Sequence, residues 1–305
     1  MKKLASILAS LLLVAFMAGC GGNGAEGGQA AGTDQPAGQE QPQTQPEPQA
    51  EGPAETGGYA DGVYYAESDE FSNGWKEIVA LKVEGGKIVD VEWNALPENG
   101  GLDKKNYDKA GKYGMKDKGG AQADWWEQAE KAEAYLIEVQ DPDAIPYNPE
   151  DGRTDAIAGV SIHVNGLAEL AKKALAAGPV EPGPYKDGTY YAEEDEFGSS
   201  GWKNTVTITV LNGRIIAVDW NGVNKDGVDK DTYSASGEYG MVAKGGAQAE
   251  WHEQAARAEA YLIQTQDPTA ITYTDEEGHT DAIAGVSIHV SEFFKLAEKA
   301  LEGAK

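Results

Sequence analysis

One stretch of the sequence combines a glycine, a hydroxyl and an imidazole at short spacing, and the chain holds it twice. Asp155-Ala156-Ile157-Ala158-Gly159-Val160-Ser161-Ile162-His163-Val164 recurs unchanged from Asp281 to Val290. Gly159 and Gly285 precede Ser161 and Ser287 by two positions, and His163 and His289 follow them by two. A serine hydroxyl can carry a phosphoester. A phosphate there would lie near free amides at the next helix start, where the helix dipole favours an anion. Glycine allows close approach of another group or an unusual φ. A Gly-x-Ser turn between strands with no ligand has the same features. The histidines would share the serine's side of a short strand, as buried hydrogen-bonded residues or as proton donors to a group the serine carries. Recent duplication alone does not explain the identity, because segments such as Leu96 to Lys105 have diverged.

The elements that must position this stretch also come in pairs. Asp61 to Glu67 matches Asp187 to Glu193, Gly119 to Ala123 matches Gly245 to Ala249, and Ala132 to Ile137 matches Ala258 to Ile263. Each copy opens with candidate strands: Tyr64 to Glu67, then Ile78 to Val83 and Ile88 to Trp93 around Gly85-Gly86. The second copy has Val206 to Val210 and Ile215 to Trp220 around Asn212-Gly213, a strong hairpin signal. Trp125, Ala129, Ala132, Leu136 and Val139 recur at helical spacing, as do Trp251, Ala255, Ala258, Leu262 and Thr265. Asp141-Pro142 and Asp267-Pro268 should end those helices. A last helix carries Leu167, Leu170, Ala171, Ala174 and Leu175 on one side, with Asn165 (Ser291 in the second copy) as its expected N-cap. The pattern predicts an α+β class, a mainly antiparallel sheet with packed helices, in two tandem copies over 59–177 and 185–305. Residues 178–184, Gly-Pro-Val-Glu-Pro-Gly-Pro, form a short stiff linker.

The beginning of the chain reads as an export signal over 1–19. Lys2 and Lys3 precede a 14-residue apolar run from Leu4 to Met17, too short to span a bilayer comfortably. Met17-Ala18-Gly19-Cys20 resembles the lipobox of bacterial lipoproteins, which implies cleavage before Cys20 and lipidation of its thiol. An ordinary signal peptide with an incidental cysteine is the alternative. Several acyl chains at one site give stable anchoring. Residues 20–58 then form a lipidated cysteine and a tether. Positions 21–58 lack aromatic and large aliphatic residues and so cannot offset their ordering entropy. The reach of that tether is on the order of 35 Å.

Composition narrows the function classes. Cys20 is the only cysteine among 305 residues, which excludes iron–sulfur clusters and haem attached through paired cysteines. Four histidines are too few for a multi-haem carrier. A redox role would rest on an organic cofactor or a single metal, and the sequence offers no metal-ligand set. The net charge is −26, and −28 once Lys2 and Lys3 leave with the signal. That balance disfavours nucleic acid and close docking on anionic lipid, so membrane contact is expected through the anchor only. It serves solubility outside the cell or attracts cationic species, metal ions included.

The repeated stretch is similar to the flavinylation motif of FMN-binding domains, Asp-x-x-Ser/Thr-Gly-Ala-Thr/Ser. The opening Asp-Gly-x-Tyr, the hairpin with a Gly-Lys or Gly-Arg turn and the closing helix also look like that family. The resemblance covers both copies, about 240 residues in all. A lipobox followed by two such domains resembles the FMN-binding-domain lipoproteins (PplA-like) of extracellular electron transfer in Gram-positive bacteria. The resemblance implies two FMN groups, each joined through a covalent phosphoester to Ser161 or Ser287 by an FAD-dependent FMN transferase. Asp155 and Asp281 match the motif's acidic position, and Gly159 and Gly285 its glycine. Ala158 and Ala284 stand where Ser or Thr is usual, and Val160 and Val286 where Ala is usual.

Other residues can be weighed against that cofactor. Trp125 and Trp251 lie on an apolar helix face and read as core. Trp126, or His252 in the second copy, stands one position round and is a candidate for stacking on an isoalloxazine ring. Tyr113-Gly114-Met115 and Tyr239-Gly240-Met241 precede the helix, which makes Met115 and Met241 candidate pocket residues. His163 and His289 are then proton donors to reduced flavin or buried structural residues. The expected function is a lipid-anchored, outward-facing electron carrier rather than a true enzyme, with a ferric reductase component as the enzymatic alternative. It would take electrons from a membrane quinone-linked dehydrogenase and deliver them to extracellular acceptors, ferric iron or free flavins. The alternatives are a lipoprotein binding wall glycan or a small ligand, and a structural surface protein; exposed tryptophans would favour glycan binding.

Overall fold

The computed structural model describes residues 58–305. The expected export segment, Cys20 and the expected tether through residue 57 lie outside the described residues. No described helix is long and apolar enough to cross a membrane.

The chain builds one α+β design twice. In the first half β1 (Gly62–Glu67), β2 (Trp75–Glu84) and β3 (Lys87–Pro97) form an antiparallel sheet in that order. Helices α1 (Lys104–Lys109), α2 (Trp125–Val139) and α3 (Asn165–Ala177) follow. The second half repeats the sheet with β4 (Gly188–Glu193), β5 (Trp202–Leu211) and β6 (Arg214–Asn224). Its helices are α4 (Lys230–Ala235), α5 (Met241–Gly245), α6 (Trp251–Thr265) and α7 (Ser291–Leu301). The short helices α1, α4 and α5 were not expected from the sequence.

Both hairpins turn through two residues with positive φ, 58° and 75° at Gly85 and Gly86, and 52° and 69° at Asn212 and Gly213. That pair of angles is the turn whose twist suits adjoining strands. Beyond each turn the register shifts, between Lys82 and Val83 and between Thr209 and Val210. Val83 opposes Ile88 and Lys82 opposes Asp90, so Val89 is the extra residue and points outward, 43% exposed. The bulge explains why Ile88, Val91 and Trp93 are all buried although simple alternation would place them on opposite faces.

Each sheet packs its own core. Trp125, Ala129, Ala132 and Leu136 of α2, with Leu167, Ala171 and Ala174 of α3, cover β1–β3. Trp251, Ala255, Ala258 and Leu262 of α6, with Phe293, Phe294 and Ala297 of α7, cover β4–β6. Helix α2 opens with the Asp124 amide donating to Glu127 at 2.8 Å, and α6 with Glu250 donating to Glu253 at 2.8 Å. Both end in a left-handed glutamine, Gln140 at φ 62° and Gln266 at φ 60°. The helix therefore stops before Asp141-Pro142, and Pro142 begins a separate 3-10 turn. Two local expectations are corrected. Asn165 and Ser291 are the first helical residues rather than N-caps, a place taken by Val164 and Val290. No strand follows Ser161 or Ser287, because residues 160–164 and 286–290 pair with no strand and run as loop.

The opening Asp-Gly-x-Tyr staples this frame. Asp61 Oδ1 accepts from the Gly86 amide at 2.9 Å, and Asp187 Oδ1 from the Gly213 amide at 2.7 Å. The Tyr64 hydroxyl donates to the Ala60 carbonyl at 2.6 Å, and Tyr190 to Lys186 at 2.7 Å. The linker is held at both ends. The Val180 amide donates to Val63 at 2.7 Å, and the Gly183 amide to Asn212 at 2.8 Å. A Cβ at Gly183 would lie 2.0 Å from the Gly213 carbonyl oxygen, so this approach requires glycine.

Candidate functional site

In the first repeat the serine loop meets an aromatic cavity of about 510 Å³, within the usual range for small-molecule and cofactor sites. Its walls include Trp75, Tyr113, Met115 and Trp125, and its rim Ser161, His163 and Arg153. The loop is set by α2. Gln128, buried on the apolar face of that helix, accepts from the Ser161 amide at 2.7 Å and from the Ser161 hydroxyl at 3.1 Å. Its own amide donates to the Ala123 carbonyl at 2.9 Å. Gln254 repeats the arrangement with Ser287 at 2.7 and 3.2 Å and with Ala249 at 2.9 Å. Both serines are exposed. Along this loop burial alternates, with Ser161 and His163 exposed and Ile162 and Val164 buried. The serine and histidine therefore share a side without a strand ladder.

Gly159 and Gly285 both have φ 75°. A Cβ at Gly159 would sit 2.9 Å from Lys131 Nζ, and one at Gly285 2.8 Å from an Arg257 guanidinium nitrogen. Arg257 also donates to the Gly285 carbonyl. Each motif glycine thus admits a cation from the long helix beside the serine. Asp155 and Asp281 are exposed at the start of the loop.

A lysine in an aromatic box completes the cavity. Lys104 Nζ lies 4.4 Å from the Trp125 ring centre, 5.0 Å from Tyr113 and 5.9 Å from Trp75. Lys230 repeats this at 4.1 Å from Trp251, 5.6 Å from Tyr239 and 5.9 Å from Trp202. Burial pulls the Lys104 ammonium below its usual range, with Glu77 and Asp108 opposing. Burial pulls Lys230 down to about 8, with Glu194 opposing. Burial pushes the Glu77 carboxyl up, and the nearby Lys104 opposes that. Ring faces stabilise such desolvated cations.

The remaining sequence candidates separate. Met115 lines the first cavity, and Met241 packs beside Tyr239 against the second core. Trp126 lies outside the cavity lining, with Lys109 4.9 Å from its ring. His252 Nδ1 lies 3.0 Å from Ser234 Oγ. The functional residues that sequence reasoning missed are Gln128, Gln254, Lys104, Lys230, Lys131 and Arg257. Their signal was a polar residue on an apolar helix face in both copies, and a cation at matching positions of both.

The residue types around the first cavity are those an FMN group would need. The cavity has aromatic walls, an exposed hydroxyl and Arg153 at its rim, and Lys131 stands outside its lining, beside Gly159. No protein-family model matches the chain, and no curated protein matches it. Two solved structures are similar to part of it. A solution NMR structure of a protein from Clostridium thermocellum is 65% identical, covering 39% of this chain and 91% of that one, with a TM-score of 0.32. A crystal structure of a protein from Clostridium perfringens is 26% identical, covering 39% of this chain and 88% of that one, with a TM-score of 0.32.

Proposed function

We propose that this chain is a surface lipoprotein, anchored through Cys20, that carries FMN covalently on Ser161 and Ser287 and relays electrons. The donor is a membrane quinone-linked dehydrogenase, and the acceptors are extracellular ferric iron or free flavins. The observation that carries the reading is Ser161 exposed at the rim of an aromatic cavity of about 510 Å³. FMN, when bound, supplies the redox chemistry. The chain's own residues hold and orient. Gln128 and Gln254 fix the serine loops; Lys131 and Arg257, beside Gly159 and Gly285, would offset the phosphoester's charge, and Trp75, Tyr113 and Trp125 would shield a bound ring system from water in the first repeat. His163 stands on the serine's side of the loop, where it can move a proton. Among the seven tryptophans none is exposed, which weighs against a glycan-stacking surface.

The test is intact-mass and visible-absorption analysis of mature protein made with and without an FAD-dependent FMN transferase. Two FMN increments that survive denaturation are expected, one lost in Ser161→Ala and one in Ser287→Ala. A colourless, unmodified protein beside an active transferase would overturn the reading.

A further inference from the structure

The second repeat carries a cluster that the first lacks. His279 and His289 meet edge to face with ring centres 4.2 Å apart. A ring nitrogen of each and a Glu277 carboxylate oxygen all lie within 4.8 Å of one another. Glu277 Oε2 is 3.7 Å from His289 Nε2. Behind the cluster, Asp275 Oδ2 lies 2.6 Å from His279 Nδ1. An ionised carboxylate only accepts, so Nδ1 is the donor of this contact and Nε2 is the nitrogen left for a metal. The two segments are tied by the Thr274 amide to His279 at 2.8 Å and the Val290 amide to Gly278 at 2.9 Å.

We propose that Glu277, His279 and His289 bind one divalent transition-metal ion of the zinc class. Two imidazoles and one carboxylate are a recurrent donor set for that ion, with water in the fourth position. A carboxylate behind a ligating histidine fixes its tautomer and raises its basicity, the place Asp275 occupies. Tetrahedral ligand atoms stand roughly 3.4 Å apart at zinc bond lengths. Glu277 and His289, with side chains 73% and 56% exposed, are free to close that gap. The first repeat supplies an internal control. Its corresponding positions hold Asp151 and Arg153, so His163 has a guanidinium where His289 has a second imidazole. The proposal does not depend on the flavin reading.

The probe is the metal alone. Full-length mature protein carrying Cys20→Ser, which removes the one thiol, is titrated with Zn2+ by calorimetry and with Co2+ by visible absorption. One saturable equivalent is expected, with the intense bands of a four-coordinate Co2+ complex. His279→Ala and His289→Ala should each weaken binding at least tenfold, Glu277→Gln should weaken it less, and His163→Ala and Ser287→Ala should leave it unchanged. Absence of a saturable equivalent, or parent-level binding in either histidine variant, would overturn the proposal. Urea midpoints of the variants distinguish lost ligands from lost fold.

Discussion

Gln128 shows how one side chain can serve a core and a site together. Its oxygen takes two donors from Ser161 while its nitrogen reaches Ala123, so both ends of the buried amide are engaged. Gln128→Ala therefore leaves the Ser161 amide without its acceptor and should lower unfolding free energy by about 1–3 kcal/mol. A urea series on the full mature chain reads this, and Gln254→Ala should behave alike at Ser287. An unchanged midpoint would mean that water replaces the glutamine at no cost. The serine motif was legible in the sequence because it is identical in both copies. The glutamine was not, since a polar residue amid Trp125, Ala129 and Ala132 looks like a break in an apolar face. Only the folded loop shows what it holds.

At the scale of elements, the long helices announced themselves by spacing, and their starts at Trp125 and Trp251 agree with it. Helices α1 and α4 did not, because they are six residues long and bury Lys104, Lys105 and Lys230 instead of an apolar stripe. Their trace was an N-terminal aspartate, with Asp103 accepting from the Asn106 amide at 3.1 Å and Asp229 from Thr232 at 2.8 Å. The helix ends carry a second lesson. Gln140 sits in a left-handed conformation that favours glycine, yet its side chain accepts from the Ile88 amide at 2.8 Å and donates to the Ile88 carbonyl at 2.7 Å. Gln266 does the same with Ile215 at 2.8 and 2.9 Å. Gln140→Gly relieves the backbone but severs the tie between helix and sheet. We expect it to be less stable than the parent, and Gln140→Ala, which relieves nothing, to be less stable still by roughly 1 kcal/mol in urea unfolding. A glycine variant more stable than the parent would show that the tie contributes little.

At the scale of the molecule the two repeats meet through unlike chemistry. In the first, Lys105 pairs with Glu133 at 2.7 Å and with Glu92 at 2.8 Å. The matching positions of the second are Asp231, Glu259 and Asp219, three acids with no lysine of their own. The first repeat provides the compensation. The Gly101 amide donates to Glu259 at 3.0 Å, and Lys112 pairs with Asp229 at 3.1 Å. Burial tends to lower the Lys112 ammonium, but Asp229, Asp219 and Asp231 outweigh it and hold it above its usual range. Asn106 reaches Thr189 at 3.2 Å and Thr209 at 3.1 Å, and Thr209 donates to Asp103 at 2.7 Å. Burial pushes the Asp219 carboxyl up to about 6 and raises Glu259 well above its usual range, with Asp219 adding to the rise. The folded protein thus holds protons there that the unfolded chain releases. That contribution to stability is full below about pH 4 and is lost as pH rises through 6. Unfolding free energy should fall more steeply between pH 4.5 and 6.5 in the parent than in Asp219→Asn; equal slopes would remove Asp219 from the account.

This pairing is head to tail, since the surface given by the first repeat differs from the one the second receives it on. Contacts of that kind can in principle extend from molecule to molecule without closing. Here the acidic socket of the first repeat is already filled by its own Lys105, while the socket of the second is taken by its neighbour. A single lysine, present in one copy and exchanged for aspartate in the other, thereby separates a socket filled from within from one filled by its neighbour.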